Sequence, residues 1–207
     1  MSLKVIVFDF WETLVAGNEK ETMNKLCKKL NFVDVNSFWK FCDKEWFPTK
    51  LNRELFLKKI IKDKNLNVDI LEIITLWKEA TKVNKLFDDV ISNLEKLSKK
   101  YNLVLLSNTS VEYSNEFIKN LGIMKFFDKV ILSCDVELAK PNLKFFELIL
   151  KETEARPNEI CFIGDSYSND IIPAEKIGFK TILIDRTDRY DKFIHHTIIK
   201  SLNELKL

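Results

Sequence analysis

The 207-residue sequence has little glycine and little proline, with only four of each. An average composition would supply about 7% glycine, roughly 14 residues in a chain of this length. So few turn-forming residues exclude a collagen-like chain and a flexible glycine/serine linker, and they argue against an all-β fold with many tight turns. We therefore expect a globular chain whose few glycines lie at particular turns and helix ends.

Cysteine and histidine are also scarce. The four cysteines form no Cys-x-x-Cys pair, and we interpret them as reduced core residues of a cytoplasmic protein, because free cysteine packs as a small apolar side chain. The two histidines are adjacent, so their rings do not share a helix face, and we interpret them as surface or packing residues. These residues are Cys27, Cys42, Cys134, Cys161, His195 and His196.

No apolar run approaches the roughly 20 residues that a helix needs to cross a bilayer, and the first residues lack the cleavage site of a signal peptide. The 33 Lys and Arg residues are interspersed with 31 Asp and Glu residues, for a net charge of +2. The sequence therefore predicts neither a membrane nor a nucleic-acid partner.

Five short runs of branched and aromatic residues predict buried strands at 3–8, 103–106, 130–132, 160–163 and 181–184, and helical patterns separate the last four. Such alternation predicts an α/β fold with a doubly wound, Rossmann-like parallel sheet. Residues 15–87 carry only helical spacing, with many aromatics. We expect a core domain of residues 1–14 and 88–207, with an inserted all-helical cap at 15–87.

Polar residues follow three of the predicted strands. Asp9 ends the first, Ser107 and Asn108 end the second, and Asp165 ends the fourth, with Asp170 five residues later. Strand ends of a parallel sheet converge on one edge, where ligands bind. Three carboxylates gathered there repel one another unless a cation lies among them, and hard oxygen ligands favour Mg²⁺. Lys140 offers a positive charge from a further connection.

In this order the motifs resemble the haloacid dehalogenase superfamily of hydrolases, most of whose members are phosphatases. VIVFDFWETLV resembles the first motif, LVLLSNTS the second, ELAKPNLKFF the third and GDSYSND the fourth. They place Asp9, Thr13, Ser107, Lys140, Asp165 and Asp170 at the family's positions. The resemblance covers nearly the whole chain, and a helical cap after the first motif is typical of one branch.

The resemblance implies that Asp9 attacks phosphorus and forms an aspartyl-phosphate, with Lys140 as a second catalytic group. Ser107, Asn108 and Lys140 would bind the phosphoryl oxygens. The implied cofactor is Mg²⁺, bound by Asp9, the backbone carbonyl of Trp11, Asp165 and Asp170. The implied substrate is a small phosphorylated metabolite.

The first motif departs from the family at two positions. The general acid–base aspartate is replaced by Trp11, whose indole has no proton to exchange near neutral pH. The glycine that usually follows is Glu12, which we expect to point away. General acid–base catalysis contributes roughly 10²–10⁴ in rate. We therefore expect impaired turnover of alkyl phosphates, and less impairment for aryl or acyl phosphates with better leaving groups.

Two alternatives stay open. The dehalogenase branch of the family has an aromatic residue at the position of Trp11, and a departing halide needs no acid; against this reading stands Asp165, which dehalogenases usually lack. Trp11 is also compatible with a protein that keeps the fold and binds phosphate or a partner without turnover. The sequence names neither the substrate nor the oligomeric state.

Overall fold

The computed structural model describes residues 2–190 and 196–207, with the backbone alone described at Asn115 and Glu116. His195 lies outside these residues, whereas His196 Nε2 lies 2.8 Å from Glu175 Oε1. All four cysteines are buried and free, which agrees with the prediction of reduced core residues. Every helix in the described ranges is too short or too polar to cross a membrane.

Six parallel strands form one sheet in the order β3-β2-β1-β4-β5-β6. They are β1 (Val5–Phe8), β2 (Asn102–Ser107), β3 (Lys129–Leu132), β4 (Ile160–Gly164), β5 (Lys180–Ile184) and β6 (Ile198–Ile199). The five predicted strands are all present. The strand β6 has no counterpart among the predicted strands, because two residues at the edge of a sheet carry no recognisable periodicity.

Successive side chains of β1 point to opposite faces of the sheet, as the strand period of two requires. Ile6 and Phe8 belong to the apolar core on one face, and Val5 and Val7 to the core on the other. All four are buried, since helices cover both faces. This arrangement confirms the predicted doubly wound α/β fold.

Four helices lie between β1 and the rest of the sheet, and we call this segment the helical insertion. They are α1 (Lys20–Lys29), α2 (Val35–Glu45), α3 (Arg53–Asp63) and α4 (Ile70–Thr81). Side chains of Glu19, Asp34, Asn52 and Asp69 cap their amino ends by accepting backbone N–H bonds. The buried aromatic residues of the helical insertion belong to an apolar cluster of their own, separate from the two apolar clusters on the faces of the sheet.

The chain enters and leaves the helical insertion through two adjacent segments. Phe87 N donates to Leu14 O at 3.0 Å, and Ala16 N donates to Lys85 O at 2.8 Å. Val15 also forms an antiparallel bridge with Leu86. These contacts lie close to the predicted cap boundaries of 15 and 87, and the boundaries themselves stay a prediction.

The remaining helices connect the strands. They are α5 (Val90–Ser98), α6 (Ile118–Asn120), α7 (Ser133–Val136), α8 (Leu143–Thr153) and α9 (Ile172–Ile177). A π-helical turn precedes α6 at Tyr113–Phe117, and another precedes α9 at Tyr167–Ile171. Gly178, in the left-handed region at φ 90°, ends α9 as the sequence predicts.

Candidate active site

The carboxyl ends of the three central strands bring the predicted site residues together. Asp9 follows β1, Ser107 ends β2 and Asp165 follows β4, and these strands are neighbours in the order β2-β1-β4. All three side chains are buried, and Asp9 is only 4% exposed. The convergence expected of a parallel sheet is therefore present.

Lys140 lies between α7 and α8 and reaches into this group. Its Nζ donates to Asp9 Oδ1 and, at 2.7 Å, to Asp170 Oδ1. Burial alone would lower the pKa of the Lys140 ammonium, but the charges of Asp170 and Asp9 raise it above its usual value. Lys140 is therefore a buried, charged group that links the first and fourth motifs.

Asp9, Asp165 and Asp170 form a buried carboxylate cluster, with one oxygen of each within 4.8 Å of the others. Burial raises the pKa of Asp9 to about 6, although Lys140 opposes the shift. Burial also raises the pKa of Asp165 and of Asp170; the charge of Asp170 adds to the shift of Asp165, and Lys140 opposes that of Asp170. Three buried carboxylates whose ionised forms are disfavoured match a divalent cation with oxygen ligands, so the donor set fits Mg²⁺.

Gly164 allows Asp170 to approach the end of β4. A Cβ built on Gly164 would lie only 2.6 Å from the Cβ and Cγ of Asp170, closer than side-chain atoms come. Asp170 Oδ2 also accepts a 2.9 Å bond from Ser166 N, within the π-helical turn. The glycine therefore allows the close approach of Asp170 rather than a left-handed turn.

Arg189 is a site residue that the sequence analysis missed. Its Nη2 lies 2.7 Å from Asp165 Oδ2 and 3.1 Å from the Asp165 carbonyl oxygen. Asp185, directly after β5, orients this segment by accepting the backbone N–H of Arg189 at 2.9 Å. The detectable signal was Asp185 itself, a carboxylate at a further strand end.

Asp9 and Trp11, both in the loop after β1, have different surroundings: Asp9 lies among polar groups, and Trp11 lies among aromatic rings. The Trp11 ring centroid lies 5.0 Å from that of Tyr113 and 5.7 Å from that of Phe117. Thr13 Oγ1 donates to Asp9 Oδ2 at 3.0 Å. The indole is thus part of an aromatic cluster, while the Asp9 carboxylate is held by hydrogen bonds from Thr13 and Lys140.

Glu12 adopts a left-handed backbone conformation at φ 57°, one that suits the glycine usual in the family. Its carboxylate lies against Gly17, where a Cβ would overlap it. Burial raises the pKa of Glu12, and Arg189 and Lys20 oppose the shift. Glu12 is not a member of the three-carboxylate cluster.

Asn108 is held in one orientation by the backbone of Lys140. Its Oδ1 accepts the Lys140 N–H at 2.8 Å, and its Nδ2 donates to the Lys140 carbonyl at 2.9 Å. Ser107 is buried beside it and points its Oγ to the Asn108 carbonyl at a long 3.4 Å. The side-chain amide of Asn108 therefore connects the second motif, which contains Ser107, to the third motif, which contains Lys140.

Two side chains of the helical insertion form hydrogen bonds with residues of the site. Asp43 of α2 accepts hydrogen bonds from Asn108 and Asn169, at 2.7 and 2.8 Å. Trp77 of α4 donates its indole N–H to the Tyr113 hydroxyl at 3.1 Å. The sequence analysis named neither contact, because nothing in residues 15–87 distinguishes Asp43 from a solvated helix residue.

The chain is similar to known hydrolases in sequence and in fold. A family model described as haloacid dehalogenase-like hydrolase matches residues 6–184. A glyceraldehyde 3-phosphate phosphatase of Methanothermobacter thermautotrophicus is 31% identical over 116 residues, which make up 53% of this chain and 51% of that protein. An (S)-2-haloacid dehalogenase of Burkholderia cepacia is 30% identical over 101 residues, 48% and 43% of the two chains. This chain thus spans about half the length of these curated relatives.

A solved structure shares the fold over most of both chains. It is a family enzyme of Bacteroides thetaiotaomicron in complex with magnesium and inorganic phosphate, with a TM-score of 0.68 and 21% identity. The alignment covers 92% of this chain and 98% of that one. At this identity the likeness establishes the architecture.

Proposed function

The chain belongs to the haloacid dehalogenase-like hydrolase family, and on this premise we propose that it is a Mg²⁺-dependent phosphatase. It acts on a small phosphorylated metabolite through an aspartyl-phosphate formed on Asp9. The observation that carries the proposal is the buried cluster of Asp9, Asp165 and Asp170 around Lys140. A phosphatase related to this chain, and a related structure that holds magnesium and phosphate, support it.

Asp9, Asp165, Asp170 and the backbone carbonyl of Trp11 would hold the ion. When bound, Mg²⁺ screens the charge between the nucleophile and the anionic phosphoryl group. The chain itself supplies the remaining groups. Lys140 is a fixed ammonium beside Asp9, and it favours the ionised, nucleophilic carboxylate.

Asp9 attacks phosphorus, and the bond from phosphorus to the leaving oxygen breaks. Thr13 and Lys140 hold the two oxygens of Asp9 in place for this attack. Ser107, Asn108 and Lys140 bind the phosphoryl oxygens and spread the charge that develops on them. Water then cleaves the aspartyl-phosphate, so that one difficult displacement becomes two easier ones.

Position 11 provides no acid for the leaving group, because the Trp11 indole packs between aromatic rings and does not exchange a proton. Acid–base catalysis from the loop after β1 is therefore impaired relative to family members that carry an aspartate there. Alkyl phosphates suffer most, since an alkoxide must be protonated as it leaves. Aryl and acyl phosphates suffer less.

The helical insertion acts as the cap that selects the substrate. It places Asp43 and Trp77 against residues of the sheet edge, so a substrate bound at Asp9 lies between the two parts. The four buried, free cysteines are compatible with a cytoplasmic location.

The direct test is Mg²⁺-dependent release of phosphate from p-nitrophenyl phosphate and acetyl phosphate. We expect activity in the wild type and a fall of about 10³-fold or more in Asp9→Asn, which removes the nucleophile. Asp88→Asn makes the same chemical change at an exposed position and serves as the control. No release by the wild type, with no difference from Asp9→Asn, would contradict the proposal and favour a non-catalytic binding protein.

A second candidate is haloacid dehalogenation, favoured by the aromatic residue at position 11 and by the relative from Burkholderia cepacia. Chloride release from 2-chloropropionate without Mg²⁺ tests it. Asp165 argues against this candidate, because the resemblance implies that dehalogenases of the family usually lack a carboxylate at this position, and here it is part of the buried cluster.

A further inference from the structure

The helical insertion contributes one carboxylate to the site, Asp43. Its Oδ1 accepts a 2.7 Å bond from Asn108 Nδ2, and its Oδ2 accepts a 2.8 Å bond from Asn169 Nδ2. Asn108 follows β2, and Asn169 lies in the π-helical turn after β4. They are 65 and 126 residues away from Asp43 in sequence. Asp43 therefore meets the same sheet edge as Asp9.

The two asparagines hold Asp43 differently. The backbone of Lys140 fixes the Asn108 amide at both ends, so Asn108 always presents an N–H to Oδ1. Among the described interactions, Asn169 uses its side chain only for Asp43. A half-turn of that amide exchanges its N–H for its oxygen, which accepts a proton from Oδ2. The site therefore accommodates Asp43 as a carboxylate and as a carboxylic acid.

We propose that Asp43 is the general acid–base of this enzyme, carried by the helical insertion in place of the residue that Trp11 has replaced. This inference rests on the proposed phosphatase function. An in-line displacement puts the leaving oxygen on the far side of phosphorus from Asp9. The insertion is the element that meets the sheet edge from outside the core, and α2 holds Asp43 there.

The proton transfers balance over the two steps. As Asp9 attacks and the phosphorus–oxygen bond breaks, the leaving oxygen takes the proton of Asp43 and departs as an alcohol. Asp43 is then a carboxylate. It takes a proton from the water that attacks the aspartyl-phosphate, which releases inorganic phosphate, restores the Asp9 carboxylate and returns Asp43 to the acid.

The surroundings of Asp43 support this role. Burial raises its pKa, and the charge of Asp170 acts in the same direction. The amides of Asn108 and Asn169 and the charge of Lys140 oppose the shift without cancelling it. A carboxyl group with a raised pKa retains more of its proton near neutral pH, as a general acid must.

The test compares leaving groups in Asp43→Asn, which keeps the side-chain size and can still bridge the two asparagines. With p-nitrophenyl phosphate and Mg²⁺, we expect a burst of one nitrophenolate per site at the wild-type rate, because nitrophenolate leaves without a proton. The following steady state slows by about 10²-fold, since the water has no base. With propyl phosphate, the first turnover itself slows by roughly 10²–10⁴-fold.

Two controls separate chemistry from structure. Asp63→Asn changes an exposed carboxylate of the same insertion, and all rates should stay at the wild-type level. Asp43→Glu keeps a titratable group, and it should recover part of the propyl phosphate activity. In the wild type, kcat/KM for propyl phosphate should fall as the pH rises through the pKa of Asp43, and this alkaline limb should be absent in Asp43→Asn.

Equal slowing of the first turnover for both substrates, or no slowing for either, would overturn the assignment of Asp43. If Asp43→Asn does not fold and shows no burst, Asp43→Glu becomes the deciding variant. Failure of a folded Asp43→Glu to recover propyl phosphate activity would also overturn the assignment of Asp43. The phosphatase function fails separately, if the wild type releases no phosphate in excess of Asp9→Asn.

Discussion

The site has a charged side and an aromatic side. The segment after β1 contributes to both, with Asp9 on the charged side and Trp11 on the aromatic side, and different interactions stabilise each side. The charged side consists of Asp9, Lys140, Asp165, Asp170 and Arg189, which lie on the connections that follow β1, β3, β4 and β5. The aromatic side consists of Trp11, Tyr113, Phe117 and Trp77, and packing between the core and the helical insertion positions it.

The difference shows how the two sides divide the chemistry. On the charged side, the buried carboxylates repel one another, and the positive charges of Lys140 and Arg189 offset part of this repulsion. The ionised state of each carboxylate therefore depends on its charged neighbours and on a bound cation. Rings on the aromatic side contribute buried area and ring–ring contacts, and Trp77 donates a hydrogen bond to Tyr113. We therefore expect the charged side to determine the reaction, whereas the aromatic side supplies no acid and leaves protonation of the leaving group to Asp43 of the helical insertion.

The largest effect is expected from Asp165→Asn. Loss of one carboxylate ligand should lower Mg²⁺-dependent phosphatase activity by about 10³-fold, which corresponds to about 4 kcal/mol of transition-state stabilisation. Saturating Mg²⁺ should raise the melting temperature of the wild type by several degrees, because a ligand at 100 times its Kd adds about 2.7 kcal/mol. It should leave that of Asp165→Asn unchanged. A full Mg²⁺ shift in the variant would show that Asp165 binds no ion.

The same variant tests the pH dependence of the metal-free protein. The pKa of Asp165 is raised in the folded state, chiefly by burial and the charge of Asp170. Its contribution to stability is therefore present below the ordinary value of 3.8 and is lost as the pH rises through the raised pKa. In EDTA, the melting temperature of the wild type should fall over this range more steeply than that of Asp165→Asn. Parallel curves would contradict the raised pKa.

An intermediate effect is expected from Trp11→Asp, which converts one residue of the aromatic side into the acid that the family uses. In the Asp43→Asn background, where the acid of the helical insertion is removed, Trp11→Asp should raise alkyl phosphatase activity by roughly 10–100-fold, within the range of general acid catalysis, while the first turnover of p-nitrophenyl phosphate changes little. Trp11→Phe in the same background keeps the aromatic packing without an acid and should show no such gain. Unchanged alkyl activity in a folded Trp11→Asp, Asp43→Asn double variant would show that an acid at position 11 does not protonate the leaving group.

The smallest effect is expected from Tyr113→Phe. It removes the acceptor of the Trp77 indole N–H, and an unpaired buried donor costs about 1–3 kcal/mol. The melting temperature should fall by a few degrees, while the Mg²⁺ shift should stay at the wild-type size. Tyr101→Phe, at the other end of β2, is the control. A reduced Mg²⁺ shift in Tyr113→Phe would mean that the two sides of the site are coupled.

Much of the fold and of the charged side could be predicted. Apolar runs marked the five longer strands, and in a parallel sheet the residues that follow such runs meet at one edge. For this reason the sequence alone predicted that Asp9, Ser107 and Asp165 lie at the same edge of the sheet. Asp43 could not, because nothing in the pattern of α2 distinguishes it from a solvated helix residue. Arg189 had only an indirect signal, the carboxylate of Asp185 directly after β5.

By itself, the sequence determined the order of strands and helices and the chemical groups at the strand ends, because hydrophobic periodicity and strand direction are local properties of the chain. Only the tertiary structure decided which distant groups share the site. Asp43 meets Asn169 across 126 residues, a contact that depends on how the helical insertion packs on the core and has no local signature. The departure of the first motif at Trp11 was visible in the sequence, whereas the carboxylate that faces the same site from α2 was visible only in the fold.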